Sequence, residues 1–299
     1  MTEIMPKPSL LKPTSGGNID SRPLPPTTAQ GAFEKIYQTK AWGDGESLSG
    51  VGSYVKYTTN VRKMVSHVIR KYGIKSLLDA PCGDFNWQPM IKDLRNINYT
   101  GVDIVPYLIS RHSRKYLGID GFRFSHWNMA EDILPKGRFD IIMTRDMIQH
   151  NSLEDGLKII RNIEQSGAKY LLTNFHDNQV GNTNVPPGGY YPINVMLPPF
   201  SFPEPIVYVL EGSPDSATGV HRKFMCLFEI KNGKLLGQGN GKYFRPSEDS
   251  FFRLLDFKTG VQLPNPEELS GPSPKVSGLD VPDREELRGT AREFPKDGS

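Results

Sequence analysis

The sequence predicts an α/β domain built on a doubly wound, mostly parallel sheet. Three observations carry that expectation. Short apolar runs alternate with stretches of helical periodicity through the middle of the chain. The first run, Leu77-Leu78-Asp79-Ala80, ends in an acid and passes into the tight turn Pro81-Cys82-Gly83-Asp84. A second run, Tyr99-Thr100-Gly101-Val102-Asp103, ends in another acid 24 residues after Asp79. Acidic residues and tight turns at strand ends are what an open α/β sheet places along its ligand-binding edge.

The elements follow in order. Tyr57, Val61, Met64, Val65 and Val68 fall at helical spacing, and Gly73 supplies a C-terminal stop. The first strand is Ser76–Ala80, and its turn is expected to open a helix around Trp87–Leu94. A second strand, Asn98–Ile104, precedes a helix beginning near Pro106, a residue favoured in a first turn. Strands three to five are Phe122–Met129, Phe139–Thr144 and Ala168–Phe175. Between the last two, Ser152-Leu153-Glu154-Asp155 reads as a capping box for a helix carrying Leu157, Ile159, Ile160 and Ile163. Two further β-like runs, Ile206–Leu210 and Lys223–Ile230, bring the expected sheet to seven strands.

Residues 1–30 and 237–299 read differently. Pro, Gly, Ser and charges dominate them without periodicity, so both are expected to be disordered, with a short helix near Phe251–Phe257 in the second. The domain is expected to span 31–236. The stretch 177–205 holds many Pro, Gly and aromatic residues and no element; irregular loops of that length are often functional.

Composition narrows the functional classes. A net charge of +3 over 299 residues gives no reason to expect nucleic acid as a partner. The only two cysteines, Cys82 and Cys226, cannot form a disulfide framework. No apolar run approaches a membrane span, and Met1-Thr2-Glu3-Ile4-Met5-Pro6 is not a signal peptide. A cytoplasmic location without membrane attachment is expected. Oligomeric state leaves no mark in the sequence.

The two acidic strand ends read as a nucleoside site, with Asp103 placed to hold a ribose diol. A dinucleotide fold shows three glycines in its first turn; here Gly83 stands alone, with Pro81 and Phe85 near the other places. A cofactor without a pyrophosphate suits such a turn better. The motif Asp-Ala-Pro-Cys-Gly-Asp-Phe-Asn-Trp at 79–87 resembles the class I S-adenosylmethionine-dependent methyltransferases. So do Phe33, Tyr37, Trp42-Gly43, Ser49-Gly50-Val51-Gly52-Ser53, Asp103, Phe139-Asp140-Ile141-Ile142 and Arg145-Asp146. The resemblance covers roughly 31–232 and implies a Rossmann-like sheet whose final strand pair contains one antiparallel member.

It also implies S-adenosyl-L-methionine as cofactor and a role for each site residue. Asp79 would lie near the cofactor's amino-acid end or order the turn. Pro81, Gly83 and Asp84 would shape the floor beneath the cofactor. Asp103 would accept both ribose hydroxyls, with Ile104 beside it. Asn128 would meet the adenine amino group, next to Met129. Trp42, Ser49 and Gly50 would belong to a lid over 31–53, where Trp42 serves either as a cation–π contact or as a packing anchor.

Methyl transfer to a hydroxyl calls for a base. His176, after the fifth strand, is the first candidate, positioned by Asp146 after the fourth; His150 is the second, with packing against the sheet as its alternative. Asp146, His150, His176 and Asp177 form a conceivable mixed metal site, but none is expected. The acceptor, a small molecule or glycan methylated on oxygen in preference to nitrogen, would meet Tyr190, Tyr191, Phe200, Phe202, Asn182, Asn184 and Asn194 of the 177–205 loop. The alternative is a Pro-stiffened cover whose aromatics turn inward. A nucleotide-dependent oxidoreductase and a non-catalytic cofactor-binding adaptor are the competing functions.

Overall fold

The computed structural model describes residues 28–178, 180–211, 222–242 and, in backbone alone, 255–256. Its strands are β1 (Ser76–Asp79), β2 (Asn98–Asp103), β3 (Phe122–His126), β4 (Ile141–Thr144), β5 (Tyr170–His176), β6 (Val207–Leu210), β7 (Lys223–Glu229) and β8 (Leu255–Asp256). They form one sheet in the order β3-β2-β1-β4-β5-β7-β6-β8. Strands β1 to β5 run parallel, and β7 runs antiparallel to both β5 and β6. The seven expected strands are therefore present. The two-residue β8 extends the sheet by an eighth, antiparallel to β6. It falls where a short helix is expected; the rest of Phe251–Phe257, like residues 1–27, lies outside the described residues.

The parallel core follows from apolar runs that feed both faces at once. Leu77, Ile141 and Leu172 join the helix α2 (Thr59–Lys71) residues Val61, Met64, Val65 and Val68 on one side. Their neighbours Leu78, Ile142 and Leu171 join Ile159, Ile160 and Ile163 of α4 (Leu153–Gln165) on the other. Alternate side chains of a strand point to opposite faces, so each Leu-Leu or Ile-Ile pair serves both layers. Ser152 caps α4 as expected, its Oγ accepting from the Asp155 N–H at 3.0 Å.

Three local expectations change. No α-helix follows β1. Gln88–Met90 and Lys92–Asn96 are separate 3₁₀ turns, broken by extended backbone at Ile91 (ψ 112°). Pro89 lies in the first turn, where a missing N–H is tolerated, so the break is made by the extended Ile91. Second, a helix, α1 (Ala29–Thr39), begins inside the stretch expected to be disordered, with Thr28 Oγ1 accepting from the Gly31 N–H at 3.1 Å. Tyr37 of α1 packs with Val105 and Leu108, which ties this segment to α3 (Pro106–Lys115).

Third, the 177–205 segment has no regular element among its described residues, but its side chains turn inward. Tyr191, Phe200 and Phe202 are buried in the α4-side core. Asn182 and Asn194 bond backbone carbonyls, and Asn184 Oδ1 accepts from the Leu153 N–H. The segment is a cover for the sheet.

Candidate active site

A cavity of about 900 Å³, open mouth included, lies at the C-terminal ends of β1, β2 and β4. The chain crosses between β1 and β4, so the cavity sits where the strand order reverses. Of the expected residues, Trp42, Ser49, Pro81, Gly83, Asp84, Asp103, Ile104, Asn128, Met129, Asp146 and His150 line it. Gly50, Asp79 and His176 do not.

The floor is the turn after β1. Gly83 has φ +55°, and a Cβ there would stand 2.5 Å from Ser49 Oγ. Both facts favour glycine. Its N–H donates to Asp103 Oδ2 at 3.0 Å, and the Val105 N–H donates to Oδ1 at 2.9 Å. Each Asp103 oxygen keeps acceptor capacity toward the cavity. Burial pushes the Asp103 carboxyl up to about 6, against the N–H groups of Val105, Gly83 and Ile104. From α3, His112 Nε2–H donates to the Gly83 carbonyl at 2.8 Å and Arg111 donates to that of Asp84 at 3.1 Å. Burial lowers His112 to about 4, so it stays neutral there. Burial also pushes the Cys82 thiol well up, which leaves it a packing residue of the turn.

Asp79 does not reach the cavity because its carboxylate is used behind it. Oδ2 accepts from Tyr99 Oη at 2.6 Å and from Gln88 Nε2 at 3.0 Å. Gln88 Nε2 also donates to the Cys82 carbonyl at 2.9 Å, so Asp79 orders the turn. Burial raises this carboxyl to about 7, despite both hydrogen bonds.

The roof is the 31–53 segment. Asp84 holds it: Oδ1 accepts from Ser47 Oγ (3.0 Å) and Ser49 Oγ (3.2 Å), and Oδ2 accepts from the Leu48 N–H (2.7 Å). Gly50 (φ +90°) turns this loop over Trp42 rather than touching the cavity. Phe33, Tyr37, Trp42, Ser49 and Ser53 complete the upper wall.

The far end is the turn after β4. Asp146 sits at φ +54°, its N–H donating to Asn174 Oδ1 at 2.7 Å. Its carboxylate meets Lys223 Nζ at 2.8 Å from each oxygen, Arg145 Nη1 at 3.1 Å and Gln149 Nε2 at 2.6 Å. Arg145 and Lys223 also share the buried Glu211, at 2.7 and 3.1 Å. Burial alone would raise Asp146; Arg145 and Lys223 outweigh it and hold the carboxyl far below the usual range. Asp146 is thus engaged by these donors and not by His176. His176 is itself 1% exposed, with Nε2 3.3 Å from Tyr190 Oη.

His150 is the histidine at the cavity. Its Nδ1–H donates to the Gly189 carbonyl at 2.7 Å, and its ring lies 4.8 Å from that of Trp42. A carbonyl can only accept, so the neutral ring carries its proton on Nδ1 and its lone pair on Nε2. Burial pushes the imidazole down, more than Asp146 and the Gly189 bond pull it up. The group that orients it, Gly189, lies 39 positions away, beyond the reach of any local motif. Gln88, Asn151, Trp87 and Trp127 also line the cavity, without a site role legible in the sequence. The Arg145-Asp146 pair was the one legible hint of the ion network. Among the described residues no group of three His, Cys, Asp or Glu is arranged to hold a metal, and no helix is long and apolar enough to cross a membrane.

No family model and no curated protein matches the chain. Solved structures resemble it distantly. The Burkholderia thailandensis 1,6-didemethyltoxoflavin-N1-methyltransferase is 14% identical over 67% of this chain and 86% of its own, with a TM-score of 0.47. The [4+2]-cyclase SpnF is 15% identical over 52% and 63%, at 0.40. A geranyl diphosphate methyltransferase is 17% identical over 34% and 39%, at 0.28. The chain spans less than two thirds of the length of these last two. Likenesses at this level carry nothing about substrate or chemistry.

Proposed function

We propose that the protein transfers a methyl group from S-adenosylmethionine to an oxygen, in preference to a nitrogen, of a small molecule or glycan. One observation carries this reading: a single cavity at the crossover edge has a buried acceptor carboxylate, Asp103, in the middle and an oriented histidine lone pair, His150, at one end. The chain's residues fit the cofactor. Asp103 offers acceptor capacity for a ribose diol beside a Gly83 backbone that tolerates close approach. Ile104, Met129, Trp127 and Asn128 offer an apolar slot with one polar edge. The turn lacks the glycines that a pyrophosphate would need.

When bound, the cofactor supplies an electrophilic methyl on a sulfonium. The protein's residues do the rest. The roof anchored on Asp84 excludes water, and alignment in a closed site is itself a large share of such a rate enhancement. His150 Nε2 would take the acceptor's proton, while the Gly189 carbonyl keeps Nδ1 protonated. Asp146, fixed as an anion near His150, favours the imidazolium that results.

Calorimetry on the full chain tests the cofactor, with S-adenosylmethionine binding and NAD not binding as the expected result. Labelled methyl transfer into a metabolite or glycan extract tests the activity. Binding without transfer would favour the adaptor alternative, and NAD binding would favour the oxidoreductase.

A further inference from the structure

Gln88 is 3% exposed and lines the cavity, yet the sequence motifs assign it no role. Its amide orientation is fixed. Nε2 donates to the Asp79 carboxylate at 3.0 Å and to the Cys82 carbonyl at 2.9 Å, and both partners are acceptors. The amide oxygen is left over: Oε1 is buried and has no hydrogen-bond partner. An unsatisfied buried acceptor is destabilising, and a charged donor relieves that most effectively. Among the described residues no cation supplies one. The nearest on this wall, Arg145, stacks over Trp87 at 5.5 Å and is engaged by Glu211, Asp146 and the Gly52 carbonyl.

The sheet order says which part of a ligand arrives there. Along the edge the strands run β3, β2, β1, β4. Asn128 and Met129 follow β3, Asp103 ends β2, Gln88 follows the turn after β1, and Arg145 follows β4. A nucleoside with its base beside Asn128 and its ribose on Asp103 directs its 5′ substituent toward Gln88 and Trp87. In S-adenosylmethionine that substituent carries an amino-acid end.

We propose that Gln88 Oε1 accepts a hydrogen bond from the α-ammonium group of the bound cofactor, so that Gln88 discriminates adenosyl ligands bearing an amino-acid end from those without one. Asp79 acts behind it as a positioning residue, holding the amide so that oxygen, not nitrogen, is presented. This rests on the cofactor reading above, and its test separates the two.

S-adenosylhomocysteine and 5′-methylthioadenosine are titrated calorimetrically into the full-length protein and into Gln88→Met. The expected result is an affinity for S-adenosylhomocysteine lowered about tenfold or more, with methylthioadenosine changed less than about twofold. Equal losses for both ligands, or no loss for either, overturn the proposal. Should Gln88→Met fail to fold, the wild-type chain is titrated with the S-adenosylhomocysteine analogue that lacks the amine and keeps the carboxylate. Binding about tenfold weaker than the parent supports an ammonium acceptor, and equal binding overturns it. A wild-type chain that binds neither nucleoside removes the cofactor reading itself.

Discussion

The turns after β1 and β4 leave the same sheet edge from neighbouring strands, and each presents acids, but in opposite electrostatic conditions. Around the first, Asp79 and Asp103 are buried among neutral donors and are raised to about 7 and about 6. Around the second, the partly exposed Asp146 lies against Arg145 and Lys223, which hold it ionised at any ordinary pH. Identical carboxyl groups take different roles because one is solvated by dipoles and the other by charges. Dipole-solvated acids suit hydrogen-bond recognition of a ligand. A charge-locked acid gives a fixed field beside the His150 imidazole.

Removing the histidine in that field should have the largest effect. His150→Ala is expected to lower turnover by about 10²- to 10⁴-fold, the usual worth of a positioned base, while cofactor affinity measured by calorimetry stays near wild type. An unchanged turnover would leave the second turn with no catalytic role. In the wild type, the base form must be present, so activity should rise with pH along a limb centred below the ordinary imidazole value, because burial depresses His150. A pH–rate profile centred above that value would contradict the assignment.

Lys223→Met comes next. It strips Asp146 and Glu211 of a shared cation in a site where Lys223 is 8% exposed. Breaking such a buried network from one side costs about 3–5 kcal/mol of stability, read from denaturant unfolding. A loss under about 1 kcal/mol would mean the second turn is as tolerant as the first.

The first turn should show itself through pH. A carboxyl raised by folding favours the protonated folded state, so its contribution is full below the unfolded value near 3.8 and is lost as pH rises through about 7 for Asp79. Asp79→Asn should therefore flatten the fall in melting temperature across that window. His112 works in the opposite direction: lowered to about 4, it contributes stability above the ordinary histidine value and loses it as pH falls toward 4. An Asp79→Asn profile parallel to wild type would show that the dipoles of Tyr99 and Gln88 suffice to keep the acid ionised.

The smallest effect on activity is expected from His176→Ala. The residue is buried away from the cavity against Tyr190. Turnover should change less than about threefold once the folded fraction is matched, because its side chain does not line the cavity. A loss comparable to that of His150→Ala would restore it as the base.

How much of this is legible in the sequence depends on how far apart the partners lie. Leu77-Leu78, Ile141-Ile142 and Leu171-Leu172 announce strands buried on both faces, because each pair must satisfy two layers. Asp103 and Gly83 are legible because their roles are local to strand ends. The helix expected over Trp87–Leu94 fails because apolar spacing there serves the α2-side core through two short turns, with the extended Ile91 between them. Helix α1 escaped notice beside a Pro-rich stretch that shares its low apolar content. The charge state of Asp146 was out of reach: Lys223 lies 77 positions away on an antiparallel strand, and only the folded register brings it back.

The anchoring of Ser47, Leu48 and Ser49 on Asp84 bears on how the molecule can be dissected. The sheet and its two helical layers begin at α2, which makes residue 59 a tempting place to start a shortened version. Such a version would keep the scaffold and lose the ceiling, exposing Gly83 and Asp103 to bulk water. A minimal unit chosen by secondary structure alone would thus lose the site's roof; one chosen by the hydrogen bonds to Asp84 keeps Ser47 to Ser49, and the packing of Tyr37 on Val105 and Leu108 carries its start back to α1.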